Sequence, residues 1–232
     1  MLVEQMQIKA LPAGAPPVLS SGDITLQVLQ MTGQTAIFSY TLVNNELPVT
    51  MHYKIFIWQQ TPGLVPYKNP PVATAGFQVD QQQGSVSISP LSLGTKSYCV
   101  GLAVGPNATD VCSVFWTSPS STQPDAPPNE SYATTTLALS TAISDVVGVR
   151  LSCPHGYMGK TFGGVARLFN GDVAPLAQAS FIAAQPVPTD ASANDITFTN
   201  VGGASGQDYT VAYYTDPNNW SSLTSFVTFT MP

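Results

Sequence analysis

Apolar and polar residues alternate along much of this chain with a period of two. Between Tyr98 and Val104, large apolar side chains alternate with Cys, Gly and Ala, and Tyr53, Ile55 and Ile57 repeat the pattern. This alternation is typical of β-strands with one buried face, because successive side chains point to opposite sides of a strand. Similar short runs, such as "AIFSYTL", "SVSIS" and "DITFT", end at Gly, Pro, Asn or Asp. No segment carries the period of about 3.6 residues, with caps, that predicts a helix.

The chain is similar to itself when it is shifted by 111 residues. In this register Tyr98 falls on Tyr209, and "KIFIW" falls on "VARLF". Near the second strand, a slip of two residues places Tyr40 on Cys153. Further matches are Leu26 with Leu137, Val100 with Val211, Pro106 with Pro217, Asn107 with Asn218 and Phe115 with Phe226. Repeats of this length are whole domains, so the pattern predicts two tandem antiparallel β-sandwiches with about seven strands each.

The repeat and the composition divide the chain into four segments. Residues 1–22 are predicted to form an extended N-terminal arm, residues 23–118 the first sandwich, residues 119–131 a linker and residues 132–232 the second sandwich. The linker is rich in Pro, Ser and Thr, which favours a semi-extended conformation. We therefore expect limited motion between the two domains.

One stretch of each copy is similar to a known family. "LSLGTKSYCVGLAVG" resembles the fibronectin type III pattern, in which Leu, a Gly-Thr turn and Tyr-x-Val-x-Val lead into the sixth strand. The resemblance implies immunoglobulin-like sandwiches in which Tyr98 and Tyr209 are corner tyrosines, whose hydroxyls tie the preceding loop to the sandwich. The family usually has a core Trp on its second strand, where this chain has Tyr40 and Cys153.

The low charge of the chain limits the choice of partners. Charged residues are 9% of the chain and the net charge is −6, whereas an average globular domain has roughly 25% charged residues. A protein that binds nucleic acid clusters its cations on one face, so the scattered cations here disfavour nucleic acid and anionic membranes as partners. No run of about eighteen apolar residues that could span a bilayer is present. The cations are Lys9, Lys54, Lys68, Lys96, Arg150, Lys160 and Arg167.

The N-terminal segment does not follow the pattern of a secretory signal, which has a cationic start and then an apolar stretch. Either a signal was removed and Met1 was added, or the protein is not exported by that route. Pro- and Gly-rich arms fray unless they are tied down, so we expect this arm to pack on its own domain or on a neighbouring subunit. Its apolar residues would form the assembly contact: Leu2, Val3, Met6, Ile8 and Leu11.

Two of the three cysteines lie on the two arms of one predicted hairpin. Cys99 and Cys112 flank its turn and could form a cross-strand disulfide if their Cβ atoms face the same way; otherwise they are separate thiols. The second copy has Thr210 and Leu223 at these positions, so the fold does not need the bridge. Cys153 is expected to be a small buried hydrophobe. No His lies near the pair, which argues against a metal site.

One segment partly matches a phosphate-binding loop. "PHGYMGKT" keeps the Gly159-Lys160-Thr161 end of such a loop, but Pro154 replaces the first glycine. The next segment, "FGGVARLF", predicts a strand, whereas a phosphate cradle needs the N-terminus of a helix. We therefore interpret the segment as the loop between the second and third strands of the second sandwich.

The remaining candidate sites are incomplete. His52 and His155 lie in different copies and accompany no nucleophile or metal-ligand spacing. Two groups of oxygen ligands lack the bidentate acid of a calcium site, so we expect solvated turns there. The tryptophans could be binding platforms, although packing is the expected role of those on strands. These residues are Asp190, Asn194 and Asp195; Asp216, Asn218 and Asn219; and Trp58, Trp116 and Trp220.

No combination of base, nucleophile and orienting group is present, so we predict a protein that is not an enzyme and has no cofactor or metal. The first hypothesis is a virion structural protein, such as a bacteriophage capsid decoration or tail accessory protein, with protein subunits as partners. The second is an extracellular adhesion or receptor fragment at the cell surface. The third is a carbohydrate-binding accessory module with a glycan partner. The choice of the first rests on analogy with proteins of similar fold.

Overall fold

The computed structural model describes residues 17–43, 46–119, 131–172 and 180–232. In that part of the chain the regular structure is β-strand, apart from two single-turn 3-10 helices, Ala108–Asp110 and Trp220–Ser222. The strands before residue 120 are β1 (Val18–Asp23), β2 (Thr25–Met31), β3 (Ala36–Thr41), β4 (Lys54–Gln59), β5 (Ala73–Gly76), β6 (Gln83–Ile88), β7 (Tyr98–Ala103) and β8 (Val111–Thr117). The strands after residue 130 are β9 (Ser131–Thr134), β10 (Thr136–Ile143), β11 (Val146–Ser152), β12 (Val165–Asn170), β13 (Phe181–Pro186), β14 (Ala193–Thr199), β15 (Asp208–Tyr214) and β16 (Leu223–Thr230).

The strands form two sandwiches, each built of a three-stranded and a five-stranded sheet. In the first sandwich the sheets have the orders β2-β3-β6 and β5-β4-β7-β8-β9. In the second they have the orders β10-β11-β14 and β1-β16-β15-β12-β13. All the strand pairs of these sheets are antiparallel. The predicted fold class, all-β with two tandem immunoglobulin-like sandwiches, is confirmed.

The second strand of each copy keeps the repeat register without a slip. Leu26 pairs with Tyr40 across β2 and β3, and Leu137 pairs with Leu151 across β10 and β11. Tyr40 therefore corresponds to Leu151, and the predicted match of Tyr40 with Cys153 is wrong. Cys153 follows the end of β11 and is only partly buried. Pairing with the preceding strand fixes the register here, because a slip would move the apolar side chains to the wrong face.

Strands β7 and β8 are buried on both faces, whereas the alternation predicted one buried face. Tyr98, Val100 and Leu102 point into the core of the first sandwich. Cys99 and Ala103 lie in a second apolar cluster on the outer face of the sheet, with Trp58 and Trp116. This face is covered because the segment after β4 folds over it and contributes Val65 and Tyr67 to that cluster.

Each sandwich contains one strand from the segment that precedes the other sandwich. Strand β1 immediately precedes β2 of the first sandwich, but it pairs with β16 of the second, with Ser21 opposite Val227. Strand β9 immediately precedes β10 of the second sandwich, but it pairs with β8 of the first, with Tyr132 opposite Phe115. We call this arrangement the reciprocal strand exchange.

The two crossing points of the exchange lie in contact. Only Ile24 separates β1 from β2, and only Thr135 separates β9 from β10. The Thr134 hydroxyl donates a hydrogen bond to the carbonyl of Ile24. The Ile24 N–H donates in turn to the Thr224 carbonyl at 3.3 Å. Neither sandwich can therefore move away from the other without breaking strand pairing.

The predicted segments differ from the structure at the two exchanged strands. Residues 18–22, assigned to the arm, form most of a strand of the second sandwich. Residues 132–134, assigned to the second sandwich, lie in β9 of the first. Most of the predicted linker and all five apolar residues of the predicted assembly arm (Leu2, Val3, Met6, Ile8 and Leu11) lie outside the described residues. Among the residues that are described, no helix has the length and apolar character to cross a bilayer.

Candidate functional site

Two tyrosines join the sandwiches through matching hydrogen bonds. The Tyr53 hydroxyl, from the loop before β4, donates to the Ser221 carbonyl of the second sandwich at 2.8 Å. The Tyr157 hydroxyl, from the loop before β12, donates to the Thr109 carbonyl of the first sandwich at 3.1 Å. Thr109 lies in the 3-10 turn before β8, and Ser221 lies in the 3-10 turn before β16. Each sandwich thus donates one hydroxyl to the other, although the two tyrosines are not equivalent in the repeat, which aligns Tyr53 with Gly164.

Three aromatic rings, including that of Tyr157, fill part of the contact between the two sandwiches, which we call the junction. The ring of Tyr157 meets the rings of Tyr67 and Phe162 edge-on, with centroids 5.6 and 5.4 Å apart, and Tyr67 and Phe162 are 5.2 Å apart. Beside them the Val65 N–H donates to the His155 carbonyl at 2.9 Å. Edge-to-face geometry at these distances is favourable beyond simple burial. The outer face of the first five-stranded sheet is thus sealed partly by the second sandwich.

The corresponding outer face of the second sandwich carries a buried cation. Arg167 is 7% exposed, and its guanidinium carbon lies 4.2 Å from the ring centroid of Trp220, 4.8 Å from that of Tyr214 and 5.3 Å from that of Phe181. Its Nη2 donates to the Pro217 carbonyl. Three rings replace water around the charge, which makes its burial tolerable.

An acid is buried close to the Tyr53 contact. Glu46 is 0% exposed. Burial raises the pKa of its carboxyl well above the ordinary 4.5, and neither carboxylate oxygen has a hydrogen-bond partner among the described residues. Burial also raises the pKa of the Cys112 thiol, and the nearby Glu46 adds to that shift. The junction therefore favours the neutral form of Glu46.

Replacing Glu46 with glutamine is expected to stabilise the protein at high pH. A carboxyl with a raised pKa in the folded state loses its contribution to stability as the pH rises above its unfolded pKa. The free energy of unfolding of the variant should equal that of wild type near pH 4. At pH 8 it should exceed that of wild type by at least about 1 kcal/mol, because the variant buries no charge. Urea denaturation at both pH values measures it. Asp172→Asn, at an exposed carboxylate, is the control; equal pH profiles for E46Q and wild type would contradict the assignment.

The two corner tyrosines hold the loops that precede them. The Gly94 N–H donates to the Tyr98 hydroxyl at 2.9 Å. The Ala204 N–H donates to the Tyr209 hydroxyl at 3.1 Å. Both tyrosines are buried, so each hydroxyl satisfies a backbone group at the edge of the core.

The Gly159-Lys160-Thr161 segment is a loop tied down by an acid. The Asp190 carboxylate accepts from the Thr161 N–H at 2.8 Å and from its hydroxyl at 2.6 Å. In the first sandwich Asp80 accepts in the same way from the N–H and the hydroxyl of Thr50. Hydrogen bonds from Thr161 lower the pKa of Asp190. The groups that would cradle a phosphate are thus occupied by a structural contact that both repeats share.

Cys99 and Cys112 are separate free thiols, so the considered disulfide is not formed. Cys99 lies opposite Trp116 and belongs to the outer cluster, whereas Cys112 points into the sandwich core. A bulge between Ala103 and Leu102 shifts the register of the hairpin at Cys112. The Cβ atoms therefore fall on opposite faces of the sheet. Burial raises the pKa of Cys99 and of Cys153 to about 12.

The two groups of oxygen ligands, for which solvated turns were predicted, are engaged in local contacts. Asp195 forms an ion pair with Arg150 at 2.9 Å, and the Asn194 Oδ1 accepts from the Thr189 hydroxyl. In the other group Asp216 caps the Asn218 N–H, and Asn219 caps Ser221. No cluster of three metal-ligating side chains occurs in the described ranges.

The histidines and tryptophans lie in loops and packed regions. His155 contributes its backbone carbonyl to the junction, and His52 adopts a positive φ of 59° where the second repeat has Gly163. Trp58 is buried and donates from Nε1 to the Asn69 carbonyl at 3.0 Å. Trp116 is buried in the outer cluster, and Trp220 packs on Arg167. The three indoles are used in packing.

Three residues of the junction, Tyr53, Glu46 and Tyr157, were not identified from the sequence, nor was the buried Arg167 of the second sandwich. In the sequence Tyr53 belongs to a strand pattern and Tyr157 to a partial phosphate-loop match, and neither pattern indicates a contact between domains. A signal for Arg167 was present, because the repeat register aligns it with the apolar Phe56. A cation at the position of a buried aromatic indicates a partner that the sequence alone does not name.

No protein-family model matches the chain, and no curated protein matches it. Among solved structures it is similar to the BSP domain of a biofilm-associated protein, with 11% identity and a TM-score of 0.24 over 85% of this chain and 27% of that one. It is also similar to a mutant Salmonella alpha-2-macroglobulin, with 10% identity and a TM-score of 0.30 over 90% of this chain and 16% of that one. The methylamine-reacted form of that protein gives 10% identity and a TM-score of 0.28 over 91% and 16% of the two chains. The chain thus spans about a quarter or less of these proteins, and similarity at this level carries no information on function.

Proposed function

We propose that this protein is a non-enzymatic virion structural protein, such as a capsid decoration or tail accessory subunit, that acts through protein–protein contacts. The observation that carries the proposal is the reciprocal strand exchange. It makes the tandem sandwiches one rigid body, and the faces with which they contact each other are buried between them. A subunit that transmits load or fixes spacing needs this rigidity, and its remaining sheet edges are natural docking elements.

Three buried polar side chains support a structural role. Glu46, Arg167 and Tyr157 have the burial that an active site often uses, but each is enclosed by packing. The oxygen-rich loops are occupied by their own hydrogen bonds. The partners of such a molecule are protein subunits, with no cofactor, nucleic acid or membrane required.

The second candidate is an extracellular adhesion or receptor fragment at the cell surface. It draws on the fibronectin-like strand pattern and on exposed edge strands suited to capture an extended peptide. Adhesive stalks gain reach from domains joined end to end, whereas the exchange here joins two sandwiches along shared strands. A carbohydrate-binding role loses its main support, because the tryptophans are used in packing.

Localisation separates the two candidates. Antibodies against the purified protein should label particles isolated by density gradient from the source culture, and its peptides should be found in those particles in stoichiometric amounts. Label confined to the surface of intact cells, with none on particles, would overturn the virion assignment and favour the adhesion role.

A further inference from the structure

The outermost strand of the second five-stranded sheet has one side that no other described strand pairs with. Strand β13 lies at one edge of the sheet, and β1 closes the opposite edge. Among the strands that the structure describes, only β12 pairs with β13. The matching edge strand of the first sandwich, β5, has four residues, whereas β13 has six. An edge of that length offers unpaired backbone groups for another strand.

Strand β13 lacks the charged side chains that protect many edge strands, and its other protective features are confined to its ends. Its sequence, "FIAAQP", has no charged residue, and its proline is the last residue. Phe181 and Ile182 are each 43% exposed. One bulge falls at Ile182 and leaves residues 183–186 in regular pairing with β12. Natural proteins block such edges with lysines, short strands or covering loops, so an uncharged apolar edge marks a docking or aggregation site.

The exposed ring on this edge is held in place before any partner arrives. Phe181 lies over the Arg167 guanidinium, 5.3 Å from its carbon, and its ring centroid is 6.5 Å from that of Trp220. Ala184 lies directly opposite Arg167 in the strand pairing. A side chain that is already ordered loses little entropy on binding, which favours its use as an interface anchor.

We propose that β13 pairs antiparallel with β13 of a second copy of this chain, giving a continuous ten-stranded sheet across a two-fold axis. Centred on Ala183, this pairing places Ala183 opposite Ala183 of the other copy and Ile182 opposite Ala184, so that opposite side chains lie on the same face of the sheet. Large side chains thus meet smaller ones, and no charge meets a like charge. Closed two-fold contacts of this kind are the commonest form of homo-oligomer.

Two observations favour a second copy over another partner. The chain has a net charge of −6, so two copies repel one another except where they present a neutral surface, and β13 is such a surface. The chain also uses this kind of pairing elsewhere. The opposite edge of this sheet, and the equivalent edge in the first sandwich, are each completed by an added antiparallel strand. This inference rests on the proposed function, because it names one of the contacts through which such subunits would assemble.

Sedimentation velocity from about 1 μM to about 1 mM protein tests the proposal, because this range populates even a weak dimer. Wild type is expected to dimerise. Ile182→Lys should weaken dimerisation by about 100-fold or more, since it puts a charge into the apolar strand pair and two like charges into diagonally neighbouring positions. Thr74→Lys on the exposed part of β5 is the matched control and should dimerise as wild type does. Circular dichroism establishes that both variants are folded.

Hydrogen exchange locates the contact independently of the variants. Amides of β13 should exchange more slowly at high protein concentration, while those of β5 stay unchanged. A wild type that is monomeric throughout the range, or a dimer that I182K leaves intact, would overturn the proposal. Neither result bears on localisation to particles, so the failure of this contact and the failure of the virion role are distinguishable.

Discussion

Replacing Tyr157 with alanine is expected to lower the free energy of unfolding by about 3–5 kcal/mol, the cost of removing a buried aromatic side chain. Tyr157 is 1% exposed, and its ring packs on Tyr67 of the other sandwich. The loss should appear in both domains together, because the ring seals the face between them. Urea denaturation followed by tryptophan fluorescence measures it, since Trp58 and Trp116 report on the first sandwich and Trp220 on the second.

Tyr157→Phe is the matched control for this variant. It keeps the ring and removes only the hydrogen bond to the Thr109 carbonyl, so its cost should be about 0.5–1.5 kcal/mol. If Y157A destabilises only the second sandwich, in which residue 157 lies, the junction does not couple the domains.

Replacing Gly22 with valine should destabilise the second sandwich, although residue 22 is adjacent in sequence to the first. Gly22 pairs with Phe226 across β1 and β16. A Cβ atom at position 22 would lie 2.6 Å from Cε1 of that ring, which is buried and has little room to move. Forcing extra volume into such a contact costs about 1–3 kcal/mol. The expected result is a lower urea midpoint with faster hydrogen exchange in β16.

Gly76→Val provides the comparison, because Gly76 also lies in a strand and a Cβ atom added there would have no neighbouring atom within 4 Å. Valine is favourable in strands, so this variant should be as stable as wild type. Equal stability of G22V and G76V would show that β1 contributes little to the second sandwich.

The strands and the repeat could be predicted from the sequence because their signals are local. Period-two alternation and turn residues located strands such as β3, whose even-numbered residues from Ala36 to Tyr40 are buried. The constant offset also aligned β4 with β12 residue for residue. Such features depend on neighbouring residues and on comparison of the chain with itself.

The strand exchange could not be predicted because its signal is not local. Strand β1, "VLSSGD", has no apolar alternation, and the contact of Asp23 with Ser225 joins residues 202 positions apart. Its pairing comes from backbone hydrogen bonds that any polar sequence can make. The double burial of β7 did leave a trace in the sequence. Cys99, Gly101 and Ala103, on its second face, are small or apolar, as a covered face requires.

Scanning calorimetry of the intact chain tests most directly the claim that the two sandwiches form one cooperative body. A single unfolding transition is expected, with equal calorimetric and van't Hoff enthalpies, because neither sandwich retains its full sheet without a strand from the other segment. Two resolved calorimetric transitions would contradict the claim of one cooperative body, all the more if the fluorescence of Trp58 and Trp116 follows one transition and that of Trp220 follows the other.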